Sequence, residues 1–367
     1  MTALEERNQK IIDAVLKKEK ELCPGAVALV GIYGSFQTGD IHPLSDLDLL
    51  ILINDERGWQ LGTTFIEEDP GVGHDIYCTS WESLREDARY EEPHISKLMD
   101  AEIIYCADEK YREELEELRA GVRKILEAPF SEEDLEKAEN ALKQVQCLYA
   151  EAMTAEEFCE VRGYAGGVIY FAENALALLN KTYFRRGVRR RYEELNAMEK
   201  RPENLCGLIE GILTADTSDT LKERLTLFVH DLTACFHKER EALQPVKKTA
   251  NADDLKGTYE EMFSNWHGKM QQAAETGDRH LAFMSLISFS QMLAGIGNEL
   301  DIGTYDVMSV YDPEDLKRTA AGFDEILKAY LGEYQKAGLK PEQYADIDAF
   351  MQAYLSDEKM EVAECRR

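Results

Sequence analysis

Short apolar runs dominate the first third of the chain, and long helical periodicity dominates the rest. The amphipathic opening over 4–22 predicts a helix. The apolar runs that follow are bounded by turn residues and are typical of buried strands. We predict strands over 26–33, 46–53, 73–79 and 103–106, a short helix over 35–39, and a helix or irregular piece over 58–67.

From about residue 109 strand-like runs nearly vanish. Two helix starts are marked by their first residues: Ser131 precedes three acids, and Pro313 stands at a first helical position after Asp312. We predict helices over 109–127, 132–155, 156–180, 188–198, 202–213, 217–240, 252–275, 279–299, 313–335 and 341–356. The segment 301–312 is expected to be an extended loop between helices.

The expected fold class is therefore α+β. Residues 1–110 are predicted to form a domain with a small mixed sheet and flanking helices. Residues 111–367 are predicted to form an all-α helical domain, in which 244–252 is the candidate linker for a further subdivision. The length of 367 residues leaves room for two or three domains.

The formal net charge of −29 is the main compositional signal. Such a surface repels nucleic acid and anionic membranes, so neither is an expected partner. It suits cationic solutes, although acidity that serves only solubility explains the same charge. The sequence does not set the oligomeric state.

Eight cysteines occur without any Cys-x-x-Cys or zinc-ligand spacing, which favours free, mostly buried thiols in a reducing compartment. The opening reads as an amphipathic helix and not as a signal peptide. No apolar run was expected to be long enough to span a bilayer. The expected location is the cytoplasm.

The candidate chemistry is concentrated between residues 34 and 48. Gly34 and Ser35 end an apolar run, and their backbone N–H groups and hydroxyl suit an anionic phosphate. Asp46 and Asp48 flank Leu47, so an extended chain places both carboxylates on one face and Leu47 toward the core. Two such carboxylates repel each other unless cations lie between them. The pattern indicates a site for a metal-bound nucleoside triphosphate.

Gly-Ser, a spacer of about ten residues, and Ser-Asp-Leu-Asp-Leu resemble the signature of the DNA polymerase β-type nucleotidyltransferase superfamily. The branch it most resembles contains the adenylyltransferases that inactivate aminoglycosides, streptomycin or lincosamides. The resemblance implies two Mg²⁺ ions held by Asp46 and Asp48, with ATP as the nucleotide donor. It also implies a third acid on a neighbouring strand, for which Asp75 is the candidate. Asp69 competes with Asp75 but reads as part of a turn.

Basic residues are concentrated at 181–191, which stands out in an acidic chain. The resemblance implies that Lys181, Arg185 or Arg186 contacts the triphosphate. A solvated patch paired with glutamates and a nucleic-acid patch are the alternatives. The resemblance also allows a general base from the helical domain, where Glu173 is favoured because its stretch is apolar, and Glu151 and Glu160 are the alternatives.

Other residues near the motif have weaker claims. His42 and His74 are expected to be structural histidines more often than catalysts. The aromatic residues Tyr164, Tyr170 and Trp266 could line an acceptor pocket, but aromatic residues at helical spacing are usually core.

The expected activity is Mg²⁺-dependent transfer of AMP from ATP onto a hydroxyl of a small molecule, such as an aminoglycoside-like antibiotic, with release of pyrophosphate. One alternative is a module that senses nucleotide without turnover or that modifies a protein hydroxyl with AMP. Another is a polymerase-like terminal transferase, which the net charge opposes.

Overall fold

The structure is a computed structural model that describes residues 3–69, 71–243 and 246–355. The chain divides into two compact units, residues 1–244 and 245–367. Gln244 and Pro245, at the start of the predicted linker, lie outside the described residues, as do residue 356 of the last predicted helix and Cys365. The predicted α+β class is confirmed, with a small sheet first and helices after it.

A four-stranded mixed sheet forms the centre of the first unit. Its spatial order is β5-β2-β1-β6, in which β1 is antiparallel to both neighbours and β2 is parallel to β5. A second, two-stranded sheet pairs β3 with β4. The strands are β1 (Val27–Ile32), β2 (Leu49–Ile53), β3 (Thr63–Glu67), β4 (Val72–Ile76), β5 (Cys78–Ser80) and β6 (Glu102–Cys106).

The helices of the first unit follow the predicted pattern closely. A capping box in which Ser131 and Asp134 bond reciprocally starts the helix over Glu132–Thr154, as the sequence predicted. The helices are α1 (Ala3–Leu22), α2 (Ser35–Thr38), α3 (Trp81–Asp87), α4 (Ser96–Met99), α5 (Glu109–Glu127), α6 (Glu132–Thr154), α7 (Phe158–Leu179), α8 (Arg191–Ala197), α9 (Leu205–Leu213) and α10 (Ser218–Leu243).

Both faces of the central sheet are buried, which explains its continuously apolar strands. Leu50 and Leu52 of β2 belong to the large core shared with α5–α10. Leu49 and Ile51 belong to the opposite core, which includes residues of α1. Leu47 also lies in that second core, so the residues on either side of it are directed toward the helical side.

Two predictions for the N-terminal region are corrected. Residues 58–67, expected to be helical or irregular, contain a 3₁₀ helix over Glu56–Leu61 and then strand β3. The single strand predicted over 73–79 is two strands in different sheets, β4 and β5. The cause is a change of partner at Tyr77: β4 pairs with β3, whereas β5 continues the main sheet beside β2.

The second unit has its own apolar core, which includes Phe289, Phe323 and Tyr330. The helix predicted over 252–275 is interrupted by turns and by a π-helical turn at Phe263–His267. Asp315, and not Asp312, caps the helix predicted from 313. The elements are β7 (Lys248–Thr249), α11 (Ala252–Leu255), α12 (Thr258–Met262), α13 (Gly268–Thr276), α14 (Arg279–Glu299), β8 (Leu300–Asp301), α15 (Leu316–Lys336) and α16 (Ile347–Tyr354).

The expectation about membrane spans needs one correction. Among the described residues, α14 is long and apolar enough to cross a bilayer by length and composition alone. A core helix of a soluble protein passes the same test. Leu286 and Phe289 of α14 are buried in the core of the second unit, whereas 28% of the apolar window as a whole is buried.

Candidate nucleotidyl-transfer site

Asp46 and Asp48 lie in the extended segment that leads directly into β2. The strand itself begins at Leu49, three residues later than predicted. The Tyr33 N–H donates to the Asp48 carbonyl at 3.1 Å, so the ladder with the β1 side of the sheet extends to this residue. Both aspartates are half-buried on the face opposite Leu47, which is the arrangement that the alternation predicted.

Gly34 provides the space in which the Asp48 carboxylate lies. Its φ of 68° is in the left-handed region, and a Cβ placed on it would be 1.9 Å from Asp48 Oδ2. Ser35 begins the four-residue α2, and its backbone N–H donates to the Asp48 carboxylate. The Ser35 hydroxyl is buried and has no hydrogen-bond partner among the described residues. The turn and the second aspartate are therefore in direct contact.

The electrostatics of Asp48 reflect an uncompensated pair of acids. Burial is the largest effect and repulsion from Asp46 the second, and together they raise the pKa of Asp48 to about 6 despite the Ser35 hydrogen bond. Burial, a hydrogen bond with Tyr77 at 2.8 Å and the two aspartates also raise the pKa of Tyr33. A cation placed between the carboxylates would relieve this repulsion.

Arg7 of α1 holds the loop that precedes the aspartates, a role that no local pattern predicts because the two segments are 38 residues apart. Its guanidinium donates to the Ser45 carbonyl at 2.5 Å, next to the Asp46 peptide. The Ser45 hydroxyl accepts the His42 N–H at 3.0 Å. Ser45 thus makes a turn contact, and the His42 ring accepts the Leu44 N–H at 3.2 Å in the same turn.

Asp75 lies on β4, outside the main sheet, and its side chain is exposed. It lines a groove of about 600 Å³ together with Asp46, Thr64, Phe65 and other residues of the β3–β4 ribbon. Among residues 3–69, 71–243 and 246–355, however, no three His, Cys, Asp or Glu side chains converge into a cluster that could hold a metal ion. The structure brings Asp46 and Asp48 together and places Asp75 beside Asp46 in the groove. A three-carboxylate metal site stays a prediction.

Arg185 and Arg186 reach the motif from the segment after α7. Both line a cavity of about 300 Å³ together with Gly34, Gln37 and Thr38. Arg186 forms a bidentate pair with Asp40, with N···O distances of 2.8 and 3.0 Å, and this pair lowers the pKa of Asp40.

Asp100, in the same cavity, holds the second arginine. The Arg185 guanidinium lies 3.0 Å from Asp100 Oδ1. The Tyr183 hydroxyl donates to the same carboxylate at 3.0 Å, and burial, more than this bond, raises the pKa of Tyr183 to about 12. Two basic residues of the predicted set therefore lie next to the Gly34–Ser35 turn.

Lys181 and Glu173 lie in other surroundings. Lys181 forms a largely buried ion pair with Asp134 at 2.9 Å and lines a different cavity. Glu173 pairs with Arg191 at 3.1 Å, and burial raises its pKa despite that pairing. Neither residue lines the cavity beside Gly34 or the groove beside Asp46.

Residues 9–145 match the family model of a nucleotidyltransferase domain. This part of the chain is a nucleotidyltransferase domain. The superfamily inferred from the Gly-Ser and Asp-Leu-Asp motif is thereby confirmed, and the protein is a nucleotidyltransferase. Enzymes with this domain transfer a nucleotidyl group and generally use a nucleoside triphosphate with a divalent metal. The aminoglycoside, streptomycin and lincosamide branch stays a prediction.

Comparison with other proteins adds little beyond the domain. A search of curated proteins found no match. One solved structure that matches is a nucleotidyltransferase-like protein from Exiguobacterium sibiricum 255-15, with 12% identity and a TM-score of 0.33. The match covers 76% of this chain and 89% of that one. Similarity at this level supports no conclusion about the site.

Two of the three predicted metal ligands, Asp46 and Asp48, are suited to hold a divalent ion. Asp46 and Asp48 offer hard oxygen donors, which suit Mg²⁺, and the raised pKa of Asp48 shows that their charges are not balanced within the chain. The Ser35 hydroxyl, which has no partner among the described residues, is a donor on the residue whose backbone N–H bonds Asp48. These residues would hold a metal-bound phosphate chain.

Sequence reasoning missed the acids that anchor the arginines. Asp40 and Asp100 lie 146 and 85 residues from Arg186 and Arg185 in the chain, so no local pattern connects them. The only signal for Asp40 was its place within the motif itself, six residues after Gly34.

Proposed function

We propose that the protein catalyses Mg²⁺-dependent transfer of AMP from ATP onto a hydroxyl group, with release of pyrophosphate. The observation that carries the proposal is the contact between the Asp46–Asp48 pair and the Gly34–Ser35 turn inside the nucleotidyltransferase domain. The proposed location of the enzyme is the cytoplasm. The acidic surface favours a small, cationic hydroxyl compound, such as an aminoglycoside-like antibiotic, as the acceptor.

The reaction forms one bond and breaks one bond. The acceptor oxygen attacks the α-phosphorus of ATP, the bond between that phosphorus and the oxygen bridging to the β-phosphate breaks, and the electron pair leaves with pyrophosphate. The acceptor proton passes to a nearby carboxylate or to water. Bound Mg²⁺ would neutralise phosphate charge and lower the pKa of the acceptor hydroxyl.

The chain itself positions the triphosphate. The Ser35 hydroxyl can donate to a phosphate oxygen, because no group of the described residues accepts from it. Arg185 and Arg186 are the proposed contacts for the outer phosphates, since both line the cavity that contains Gly34. Their pairing with Asp100 and Asp40 keeps the guanidinium groups oriented before nucleotide binds.

Asp75 is the proposed residue on the acceptor side. It shares a groove with Asp46, and its exposure leaves the carboxylate accessible to a substrate. A general-base role for Glu173 stays a prediction that its ion pair with Arg191 disfavours. Glu151 and Glu160, the alternatives, are exposed residues of α6 and α7.

Pyrophosphate release tests the proposal directly. The protein is incubated with Mg²⁺, ATP and a panel of hydroxylated amines, and Asp46→Asn and Asp48→Asn are each expected to lower turnover by at least about a thousandfold. Asp55→Asn is the matched control, because Asp55 lies at the other end of β2 and bonds only locally, to Arg57. Turnover retained by the Asp48 variant would refute the assignment. Tight Mg²⁺-dependent ATP binding without transfer to any acceptor would instead support a nucleotide-sensing module.

A further inference from the structure

Strand β3 has a partner on one edge only. It pairs antiparallel with β4 from Thr63 opposite Ile76 to Glu67 opposite Val72. Within the part of the chain that the structure describes, no other strand joins this two-stranded sheet. The outer edge of β3 therefore presents backbone N–H and C=O groups to which a further strand can bond.

The exposed edge lacks the features that usually prevent strand addition. The strand sequence is Thr-Thr-Phe-Ile-Glu, without lysine, proline or glycine. Its first four residues are exposed, and two of them are large and apolar: Phe65 is 40% and Ile66 is 75% exposed. An exposed edge with high β-propensity and apolar side chains is typical of a site for β-strand addition.

One face of the ribbon opens onto the site. Thr64 is opposite Asp75 and Ile66 is opposite Gly73 in the register, so these four residues share a face. A Cβ added to Gly73 would meet nothing within 4 Å, which leaves the space above it open. All four line the groove that also contains Asp46.

Charge favours a basic occupant of this groove. Its acidic lining residues are Asp46 and Asp75, and no lysine or arginine of the described residues lines it. Glu68 and Asp69 continue the acidic stretch after β3, whereas Glu67 lies 3.6 Å from the Arg7 guanidinium. A second copy of the same strand would bring like charges together, in a chain whose net charge is already −29.

A buried histidine lies opposite Phe65, on the other face of the ribbon from Asp75. His74 is 3% exposed and lines the groove, yet neither ring nitrogen has a hydrogen-bond partner among the described residues. Its closest charged neighbour is Glu67, at 3.6 Å. The ribbon thus holds unsatisfied polar atoms in addition to an open edge.

We propose that the outer edge of β3 docks an extended, positively charged segment of a partner protein by β-strand addition. Main-chain bonds to β3 would hold the segment, and alternate side chains would lie beside Thr64 and Ile66 on the groove face or point to the other face. One further consequence rests on the proposed function: a serine, threonine or tyrosine on the groove side of the added strand would be a protein hydroxyl acceptor, in place of a small compound, because Asp46 lines the same groove.

Fluorescence anisotropy of a labelled peptide tests the docking without nucleotide or metal. The probe is a peptide of roughly ten residues that alternates lysine with valine and contains one tyrosine. We expect the full chain to bind it, Ile66→Lys to weaken binding at least about tenfold, and added salt to weaken it further. The matched control is Ile104→Lys, because Ile104 is a 42% exposed isoleucine on β6, the edge strand of the other sheet. It is expected to bind like the unchanged protein.

Three results would overturn the docking site. The first is that the Ile66→Lys variant binds the peptide as tightly as the unchanged protein and has the same circular-dichroism melting curve. The second is that a peptide with a central proline binds as tightly as the original peptide. The third is that the protein sediments as a dimer and that Ile66→Lys dissociates it. The last result would assign the edge to a second copy of this chain. Peptide binding without any pyrophosphate release would refute the proposed function alone, and release with a small acceptor without peptide binding would refute the docking alone.

Discussion

At the scale of single residues, the fold holds two mutually repelling carboxylates close together in the candidate site. Asp46 and Asp48 repel each other on one face while Leu47 anchors the segment in the core on the other. Position 34 requires glycine, because a Cβ at this position would overlap the Asp48 carboxylate. The cost in stability is the usual sign of a position selected for binding.

The raised pKa of Asp48 predicts how the free energy of unfolding depends on pH. Its pKa of about 6 in the folded chain is above its ordinary value of 3.8, so between these values the folded state binds more protons than the unfolded state. The contribution of Asp48 to stability is therefore present below the lower pKa and is lost as pH rises through the higher one. In buffer that contains a metal chelator, the Asp48→Asn variant should be more stable than the unchanged protein by about 1–2 kcal/mol near pH 8. Near pH 4 the two proteins should have nearly the same free energy of unfolding.

Urea unfolding of both proteins at several pH values measures this difference. Because other carboxyl groups titrate in both proteins, only the difference between the two curves reports on Asp48. Added Mg²⁺ should stabilise the unchanged protein more than the variant, since the ion offsets the repulsion between the two carboxylates. A difference that does not change with pH would contradict the burial of this charge.

At the scale of elements, long-range pairing decides the role of each basic residue in 181–191. Arg186 reaches Asp40 beside the Gly34 turn, whereas Lys181, five residues earlier, reaches Asp134 at the start of α6. The segment was predicted as a single basic cluster because its residues are adjacent in the chain. Most of its charges are paired with acids, which the solvated-patch alternative expected for glutamates. Two of them, Arg185 and Arg186, also line the cavity beside Gly34.

Paired variants separate these roles. Lys181→Met leaves Asp134 without its buried partner and should lower the free energy of unfolding by about 3–5 kcal/mol while the protein that remains folded binds ATP normally. Arg186→Ala should weaken Mg²⁺-dependent ATP binding by about tenfold with a smaller effect on stability, because its side chain is partly exposed. Chemical unfolding and calorimetric titration measure the two effects. A loss of ATP affinity confined to the Lys181 variant would reverse the assignment.

At the scale of the whole molecule, the candidate site is built from the first unit alone. The two cores of that unit contain residues of the central sheet, of α1 and of α3–α10. Buried residues between Leu255 and Tyr334 form the core of the second unit. The motif, Asp75, Arg185 and Arg186 all lie before residue 244. These candidate site residues therefore all belong to the first unit.

A fragment of residues 1–243 should fold and bind nucleotide. It retains both cores of the first unit, so a single cooperative thermal transition is expected. Its affinity for Mg²⁺ and ATP should be within about twofold of that of the full chain, a change of less than ~0.5 kcal/mol. Circular dichroism and calorimetry check the two points. An unfolded fragment, or one that folds without binding nucleotide, would show that the second unit completes the site.

The sequence by itself determined the class of fold, the nucleotidyltransferase superfamily and the local geometry of the motif. These features depend on residues within about fifteen positions of each other, where alternation along a strand and the shape of a glycine turn set which groups meet. Only the tertiary structure decided that Asp75 lies on a separate ribbon, that Arg186 and not Lys181 reaches the Gly34 turn, and that β3 has an open edge. Those outcomes depend on which strands and helices pair across long stretches of chain, and local periodicity does not encode the choice of partner.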